Sequence, residues 1–236
     1  MVNYSQPTMS PVINGTEDDR GAFLVRVYQH LGLAVGAFIV FETILFMTGI
    51  AEAMYDFFAS SGGVAWLVML GGFAIVNWLT SMSVAKIDNQ GAQYGGLFGV
   101  AAAEAAIFAP FLFGVFNSPS SGSSDVWAAA VVTGVMFAAL TLIGFITRKD
   151  LSFLRPLIMW GGFAALALIV VSLIAGYNLG LLFSIAMVAL AGASILYQTQ
   201  NIIRKYPAWA HVGAAVALFG SLMMMFWYVL RIFSRR

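Results

Sequence analysis

The stretch Ser172–Ser184, SLIAGYNLGLLFS, separates two long apolar runs, at residues 155–176 and 178–200. Each run has the roughly 20 apolar residues that an α-helix needs to cross the hydrocarbon core of a bilayer. Between the runs, Gly176 and Gly180 enclose Tyr177, Asn178 and Leu179, a composition typical of turns. The stretch therefore predicts a tight hairpin of two transmembrane helices.

Long apolar runs alternate with short polar breaks along the rest of the chain. The breaks carry turn-forming residues, as in Ser60-Ser-Gly-Gly, Asp88-Asn-Gln-Gly and the serine-rich Asn117–Ser124. The short alternating segments of a membrane β-barrel are absent from the sequence. We therefore expect an all-α polytopic membrane protein, a bundle of seven transmembrane helices. A cytosolic tail at residues 1–28 precedes a membrane domain at residues 29–233, with spans at about 29–51, 64–85, 94–116, 126–147, 155–176, 178–200 and 208–230.

The composition excludes several classes of protein. Hydrophobic residues make up 61% of the 236 residues and charged residues 9%, whereas soluble domains average about 45–50% and about 25%. The net charge of +1 is too small to indicate nucleic acid or an acidic partner. Because there is no cysteine, disulfides, thiolate metal sites and thiol nucleophiles are excluded. We expect no cofactor.

Basic residues predict the orientation, because cytoplasmic loops of membrane proteins carry an excess of Lys and Arg. With the amino terminus inside, the loops on the other side carry Glu52, Asp56 and Asp125 and no basic residue before the end of the seventh span. The seventh span either crosses fully, which its length favours, or dips in and returns. The cytoplasmic side then holds Arg20, Arg26, Lys86, Arg148, Lys149, Arg155, Arg204 and Lys205.

Two acidic residues, Glu42 and Glu104, fall well inside apolar spans, the first and the third. A carboxylate in hydrocarbon without a cationic partner is costly, so each acid should be protonated or should face water. Because the two spans run in the same direction, both acids are expected near mid-membrane, at depths within about 5 Å of each other. Either the pair shares a proton and titrates as one unit, or each acid is neutral and hydrogen-bonded on its own.

The residues inside the spans argue against an enzyme. No lysine stands in the seventh span to hold retinal, and no histidine lies deep in a span to serve a metal or a serine nucleophile. No aspartate lies inside a span, so paired catalytic aspartates are missing too. His30 and His211 are expected at helix ends, at the membrane interface.

Several spans contain glycines at a spacing that lets helix backbones approach each other. Examples are Gly32 with Gly36 and Gly95 with Gly99. The spacing predicts close helix packing at these positions, but it is common in membrane bundles and says little about function.

The segment FITRKDLSFL, Phe145–Leu154, follows the fourth span and resembles the characteristic segment of the Bax inhibitor-1-like (transmembrane Bax-inhibitor-motif) family. The resemblance is closest to the bacterial YccA-like branch and covers about residues 25–233. It implies an integral protein of the bacterial inner membrane. Further matches follow in order along the chain: Val27-Tyr28, Ala109-Pro110, ILYQTQNII at Ile195–Ile203 and YVLRIF at Tyr228–Phe233.

The resemblance implies a seven-helix bundle with the last helix near the centre, and a pH-sensitive cation leak, chiefly of calcium, in many members. In those members, two acids on the sixth and seventh spans share a hydrogen-bonded site that closes the pore. Their positions match Gln198 and Ser221, neither of which ionises in the physiological range. The proton switch has therefore either moved to Glu42 and Glu104 or been lost.

Two polar segments have two interpretations each. Tyr197–Asn201 is either an ordinary membrane-water boundary or the neutralised family site, and the two are compatible. The loop residues Arg148, Lys149 and Asp150 are expected to anchor the cytosolic side, and they are also a candidate docking surface. Asp150 is expected to cap a helix that begins at Leu151.

Two functions from different classes remain open. In the first, the protein is a passive cation leak, for calcium or protons, along a central file of polar side chains. In the second, it is a non-enzymatic modulator or client of the membrane-anchored ATP-dependent protease FtsH, which the YccA-like resemblance implies. The polar tail Met1–Arg20 would then be the segment that the protease grips. The candidate residues for permeation or proton sensing are Glu42, Asn77, Glu104, Gln198 and Ser221.

Overall fold

The computed structural model describes residues 10–86, 89–118, 122–147 and 149–235. In this part of the chain, seven helices are long and apolar enough to cross a membrane, which confirms the predicted all-α polytopic fold. An eighth, shorter helix lies between the first two of them. The helices are α1 (Glu17–Met47), α2 (Ile50–Ser61), α3 (Gly63–Val84), α4 (Gln90–Phe116), α5 (Ser123–Ile146), α6 (Leu154–Ala175), α7 (Gly180–Arg204) and α8 (His211–Phe233).

α6 and α7 form the tight hairpin that the sequence of Ser172–Ser184 predicts. α6 ends at Ala175 and α7 begins at Gly180, and the two helices pack against each other. Gly176 and Gly180 have φ of 71° and 63°, the left-handed region that side chains with a Cβ disfavour. The two glycines thus allow the chain to reverse within a few residues.

The first helix begins earlier than the apolar pattern indicates, at Glu17 rather than near residue 29. Thr16 and Asp19 form a capping box: the Asp19 N–H donates to Thr16 Oγ1 at 3.2 Å, and the Thr16 N–H donates to the Asp19 carboxylate at 3.1 Å. Just before it, Val12 is buried and its N–H donates to the Tyr206 carbonyl at 2.9 Å. Much of the expected tail is therefore helical or fastened to the α7–α8 connection.

α2 occupies the region between the first two spans that we expected to be a loop carrying Glu52 and Asp56. Its 12 residues are too few to cross a membrane. Glycines with positive φ, Gly49 and Gly62, separate it from α1 and α3. The Tyr55 ring lies against Gly114, where an added Cβ would come within 2.9 Å of it, so α2 packs on the end of α4.

The last helix lies near the centre of the bundle, in agreement with the family resemblance. α8 packs against α1, α4, α5 and α7, and Leu218, Phe219 and Met225 are fully buried. Its far end reaches the α6–α7 turn, where the Arg235 guanidinium donates to Asn178 Oδ1. α8 therefore crosses the bundle fully. We call the side that holds Val12 and Tyr206 the amino-terminal face, and the side that holds α2 and Asn178 the opposite face.

Close helix packing uses other glycines than the spacing suggests. A Cβ added at Gly32, Gly36, Gly95 or Gly99 would meet no atom within 4 Å, so the prediction for these positions is wrong. Instead, a Cβ at Gly144 on α5 would lie 2.9 Å from Thr199 Cγ2 on α7. Sequence spacing marks which glycines share a helix face, but it does not show which face meets another helix.

Candidate functional site

A cavity of about 1450 Å³ lies among α3, α4, α6, α7 and α8 and is open to its surroundings. It is lined along α8 from Gly213 to Arg231, a distance of about 27 Å at 1.5 Å per residue, close to the thickness of a hydrocarbon core of about 30 Å. Most of its lining is apolar. Polar side chains line its middle and its amino-terminal half: Asn77, Thr80, Ser81, Glu104, Gln198 and Ser221.

Gln198 and Ser221 meet across the α7–α8 interface, together with Ser194. Gln198 Nε2 donates to Ser221 Oγ at 3.2 Å and to Ser194 Oγ at 3.4 Å, and the two serine hydroxyls lie 2.8 Å apart. Ser221 Oγ also lies 3.3 Å from the Ala217 carbonyl, to which it can donate. We call Ser194, Gln198 and Ser221 the amide–hydroxyl cluster. It ties α7 to α8 with neutral groups.

Glu104 lies on α4 in the wall of the cavity and is 7% exposed. The described residues give its carboxyl group no hydrogen bond and no ion pair. A buried carboxyl group without a partner is costly in its ionised form unless water or a cation reaches it, because hydrocarbon supplies neither. The cavity is the route by which either could reach it.

Glu42 is equally buried, at 8% exposed, but it does not line the cavity. Neither of its carboxyl oxygens has a hydrogen-bond partner among the described residues. Their similar depth in the membrane stays a prediction, because the contacts between α1 and α4 do not give one register. Phe38 on α1 packs on Phe108 on α4, with ring centroids 5.3 Å apart.

Two ring contacts indicate different registers for the two parallel helices. If Phe38 and Phe108 are at the same depth, Glu42 and Glu104 differ in depth by about 12 Å. If His30 and Tyr94, whose ring centroids are 5.5 Å apart, are at the same depth, the difference is only about 3 Å. The carboxyl groups do not share a proton in this arrangement, and they do not form the alternative hydrogen bonds either.

Asn77 lines the cavity from α3, yet its side chain is exposed. Its Nδ2 donates to the Phe73 carbonyl of its own helix at 3.1 Å, which leaves the amide oxygen for other partners. One turn further along, Thr80 donates to the Gly96 carbonyl at 3.4 Å and so links α3 to α4.

Gln200 has a structural role that sequence reasoning missed. It is buried, and its side chain holds the α5–α6 loop: Oε1 accepts from the Leu151 N–H at 2.8 Å, and Nε2 donates to the Lys149 carbonyl at 2.6 Å and to the Thr147 carbonyl at 3.3 Å. The quoted segment around Gln198 contains the residue, but nothing in the sequence indicates its distant partners.

The candidate docking loop is only partly described, because Arg148 lies outside the described residues. Lys149 and Asp150 are exposed, and Asp150 lies 4.0 Å from the Arg204 guanidinium. Hydrogen bonds from the Ser152 hydroxyl and N–H hold the pKa of Asp150 below its usual range. The carboxylate caps this turn; α6 itself begins at Leu154 rather than Leu151.

The two histidines meet at the amino-terminal face. The His30 and His211 rings are 4.8 Å apart, and His30 Nε2 lies 2.9 Å from the Tyr94 hydroxyl. His30 Nδ1 lies 2.7 Å from the Arg26 carbonyl, which can only accept, so this nitrogen carries the proton. Both ring nitrogens of His30 are thus engaged at the end of the bundle.

A sequence model of the family described as "Inhibitor of apoptosis-promoting Bax1" matches residues 20–236. The chain belongs to the Bax inhibitor-1-like family. A curated relative, "Uncharacterized protein PA2604" of Pseudomonas aeruginosa, is 35% identical over 121 residues, which cover 48% of this chain and 51% of the relative. The chain thus spans about half the length of the curated relative it matches.

The amide–hydroxyl cluster can be compared with other members of the Bax inhibitor-1-like family. The positions that the resemblance aligns with the acid pair of other members are Gln198 and Ser221, and they are hydrogen-bonded to each other here. In this Bax inhibitor-1-like protein, neutral side chains join α7 and α8 at these two positions. Its buried carboxyl groups lie elsewhere, on α1 and α4.

Proposed function

We propose that this protein is a passive cation leak, non-enzymatic, whose pathway is the cavity among α3, α4, α6, α7 and α8. The observation that carries the proposal is the position of Asn77, Glu104, Gln198 and Ser221, which line this one cavity. These polar side chains line the middle and the amino-terminal half of a cavity whose whole lining extends over roughly the thickness of a hydrocarbon core. A polar file at this depth is costly unless water or ions use it.

Glu104 is the residue that attracts the cation in this proposal. Carboxylate oxygens are the preferred ligands of calcium and also carry protons. The amide oxygens of Asn77 and Gln198 and the Ser221 hydroxyl group supply neutral oxygens in the same cavity. Glu104 thus provides the charge, and its neighbours provide partial replacement for the hydration shell.

The amide–hydroxyl cluster forms the closed constriction in this proposal. Its hydrogen bonds hold α7 against α8 next to the cavity. Because amide and hydroxyl groups do not titrate near neutral pH, the cluster stays joined across the physiological range. Any pH dependence of transport is then expected from Glu104 rather than from the α7–α8 contact.

Flux into liposomes that hold the purified protein tests the proposal, with calcium and protons measured by separate encapsulated dyes. Glu104→Gln should lower calcium flux by at least about tenfold, since it removes the charge that offsets cation dehydration. Glu42→Gln is the matched control: it makes the same change at equal burial outside the cavity lining and should leave flux unchanged.

Two results would contradict the proposal. Flux no greater than in empty liposomes at every pH removes permeation as a function. Equal losses in the Glu42→Gln and Glu104→Gln proteins remove the cavity as the pathway, because only one of these residues lines it.

The alternative, a client or modulator of an FtsH-type protease, has less support. The expected grip segment Met1–Arg20 includes the start of α1 and the buried Val12, so a pulling protease would have to unfold structure there. Co-purification with the protease by a protein that shows no flux would favour this alternative.

A further inference from the structure

The half of the cavity toward the opposite face differs from the polar half. Its walls are large apolar side chains on α3, α4, α6 and α8. Leu166 on α6 lines the cavity and is 49% exposed, so surrounding molecules can reach the cavity beside α6. At the opposite-face end, α3 and α6 touch, because a Cβ added at Gly63 would lie 2.5 Å from the Leu173 carbonyl oxygen. The apolar lining of this half includes Trp66, Leu70, Phe111, Ile169, Met224 and Trp227.

A positively charged side chain, that of Arg231, lies at the opposite-face end of this apolar half, which we call its mouth. Arg231 on α8 lines the cavity together with Tyr177 and Asn178 from the α6–α7 turn, and it is partly buried. The described residues give its guanidinium group no hydrogen bond and no carboxylate partner. Arg235, one turn further on, is already engaged by Asn178. A partly buried guanidinium without a counter-ion is costly, which indicates an anion at this mouth.

The distance along α8 between Arg231 and the polar lining indicates which kind of anion binds. Arg231 and Ser221 are about 15 Å apart along α8, which is half of a hydrocarbon core of about 30 Å. A molecule whose phosphate contacts Arg231 would therefore extend its acyl chain to the level of the amide–hydroxyl cluster, where the polar lining begins. The position of the charge and the length of the apolar wall both match one lipid of the nearer leaflet.

We propose that a phospholipid binds here, with its phosphate on Arg231 and one acyl chain in the apolar half of the cavity. While it is bound, the chain occupies this half, and the polar half stays open to water and ions. This binding site goes beyond the proposed leak and does not depend on it, since the contacts of the lipid can be measured without transport.

Native mass spectrometry of the detergent-purified protein with added phosphatidylglycerol tests the site. Arg231→Gln should lower the bound lipid about tenfold, because it removes the charge-assisted hydrogen bonds to phosphate. Arg155→Gln, at an exposed arginine on the amino-terminal face outside the cavity, is the matched control and should keep the wild-type lipid content. Equal lipid content in the Arg231→Gln and wild-type proteins overturns the proposal.

A second variant tests the acyl chain and remains informative if Arg231→Gln does not fold. Gly162 lines the cavity from α6, and a Cβ there meets nothing within 4 Å, so the side chain in Gly162→Leu can extend into the cavity. It should displace the lipid, whereas Gly134→Leu on α5, equally free of contacts and outside the cavity, should not. Retained lipid in Gly162→Leu contradicts the proposal.

Two further outcomes distinguish other occupants. If inorganic phosphate displaces phosphatidylglycerol from the wild-type protein, the site binds a free anion and the lipid proposal is wrong. If added lipid does not bind and Gly162→Leu instead converts a dimer to a monomer, the groove is covered by a second copy of the chain.

Discussion

Gln198 and Gln200 stand on different sides of α7, because two residues turn an α-helix by about 200°. Gln198 reaches Ser221 on α8, at the cavity, and Gln200 reaches the α5–α6 loop. The family resemblance predicts the position of Gln198 at a site shared with Ser221. No local pattern predicts the role of Gln200, since its partners lie about fifty residues away in sequence. At the scale of single residues, the sequence shows the donors and acceptors but not their pairing.

The loop contacts of Gln200 lead to a stability prediction. Gln200→Ala should lower the free energy of unfolding by about 1–2 kcal/mol, because it removes three partly buried hydrogen bonds to the backbone at Thr147, Lys149 and Leu151. The thermal unfolding midpoint in detergent and the rate of proteolysis in the α5–α6 loop would both measure it. Gln29→Ala, at an exposed glutamine on α1, is the control. Equal effects of the two substitutions would show that the loop does not depend on Gln200.

At the scale of elements, hydropathy predicts some helix boundaries and misses others. Apolar runs predict where a helix is inside hydrocarbon, and they place the hairpin at Gly176–Gly180 well. They do not predict where a helix continues into water, as α1 does from Glu17, or where a polar connection folds into a helix, as α2 does. The capping box at Thr16 and Asp19 is a local signal that could have located the start of α1.

Replacing glycine by alanine is expected to have opposite effects at Gly144 and Gly134 on α5. Gly144→Ala should destabilise the protein by about 1–3 kcal/mol, because the new Cβ would lie 2.9 Å from Thr199 Cγ2 and force α5 away from α7. Gly134→Ala should be neutral or stabilise by up to about 1 kcal/mol, since alanine favours the helix and the position is open. Thermal unfolding in detergent measures both.

A compensating substitution identifies the contact behind the Gly144 effect. Thr199→Ser removes Cγ2, one of the two closest atoms, and should recover part of the stability lost in Gly144→Ala. If the double variant is as unstable as the sum of the two single variants, the α5–α7 contact is not the cause.

The cavity is a property of the whole molecule and could not be predicted from the sequence. Hydropathy places Glu42 and Glu104 within the membrane, but their relative depths depend on the register between α1 and α4, which hydropathy does not give. Which side chains line the cavity also depends on which faces of five helices point inward. In this structure Glu104 lines the cavity and Glu42 does not. Residue type and span number carry no information about either point.

The charge on the two faces of the bundle predicts its orientation in the membrane. Lys149, Arg155, Arg204 and Lys205 lie at the amino-terminal face, so that face should be cytoplasmic. The absence of cysteine makes a clean test possible. Gln90 is the first residue of α4, at the amino-terminal face, and Ser124 lies in the first turn of α5, at the opposite face. Both positions are exposed, so we propose the single variants Gln90→Cys and Ser124→Cys.

In intact cells, a thiol reagent that cannot cross the membrane should label the Ser124→Cys protein and should label the Gln90→Cys protein only after the cells are opened. The phosphate of the proposed lipid would then belong to the outer leaflet, because Arg231 lies on the same face as Ser124. The reverse labelling would show that the amino-terminal face is outside, contrary to its positive charge. Labelling of both proteins in intact cells would mean that the chain inserts in two orientations, which the strong charge difference between its faces disfavours.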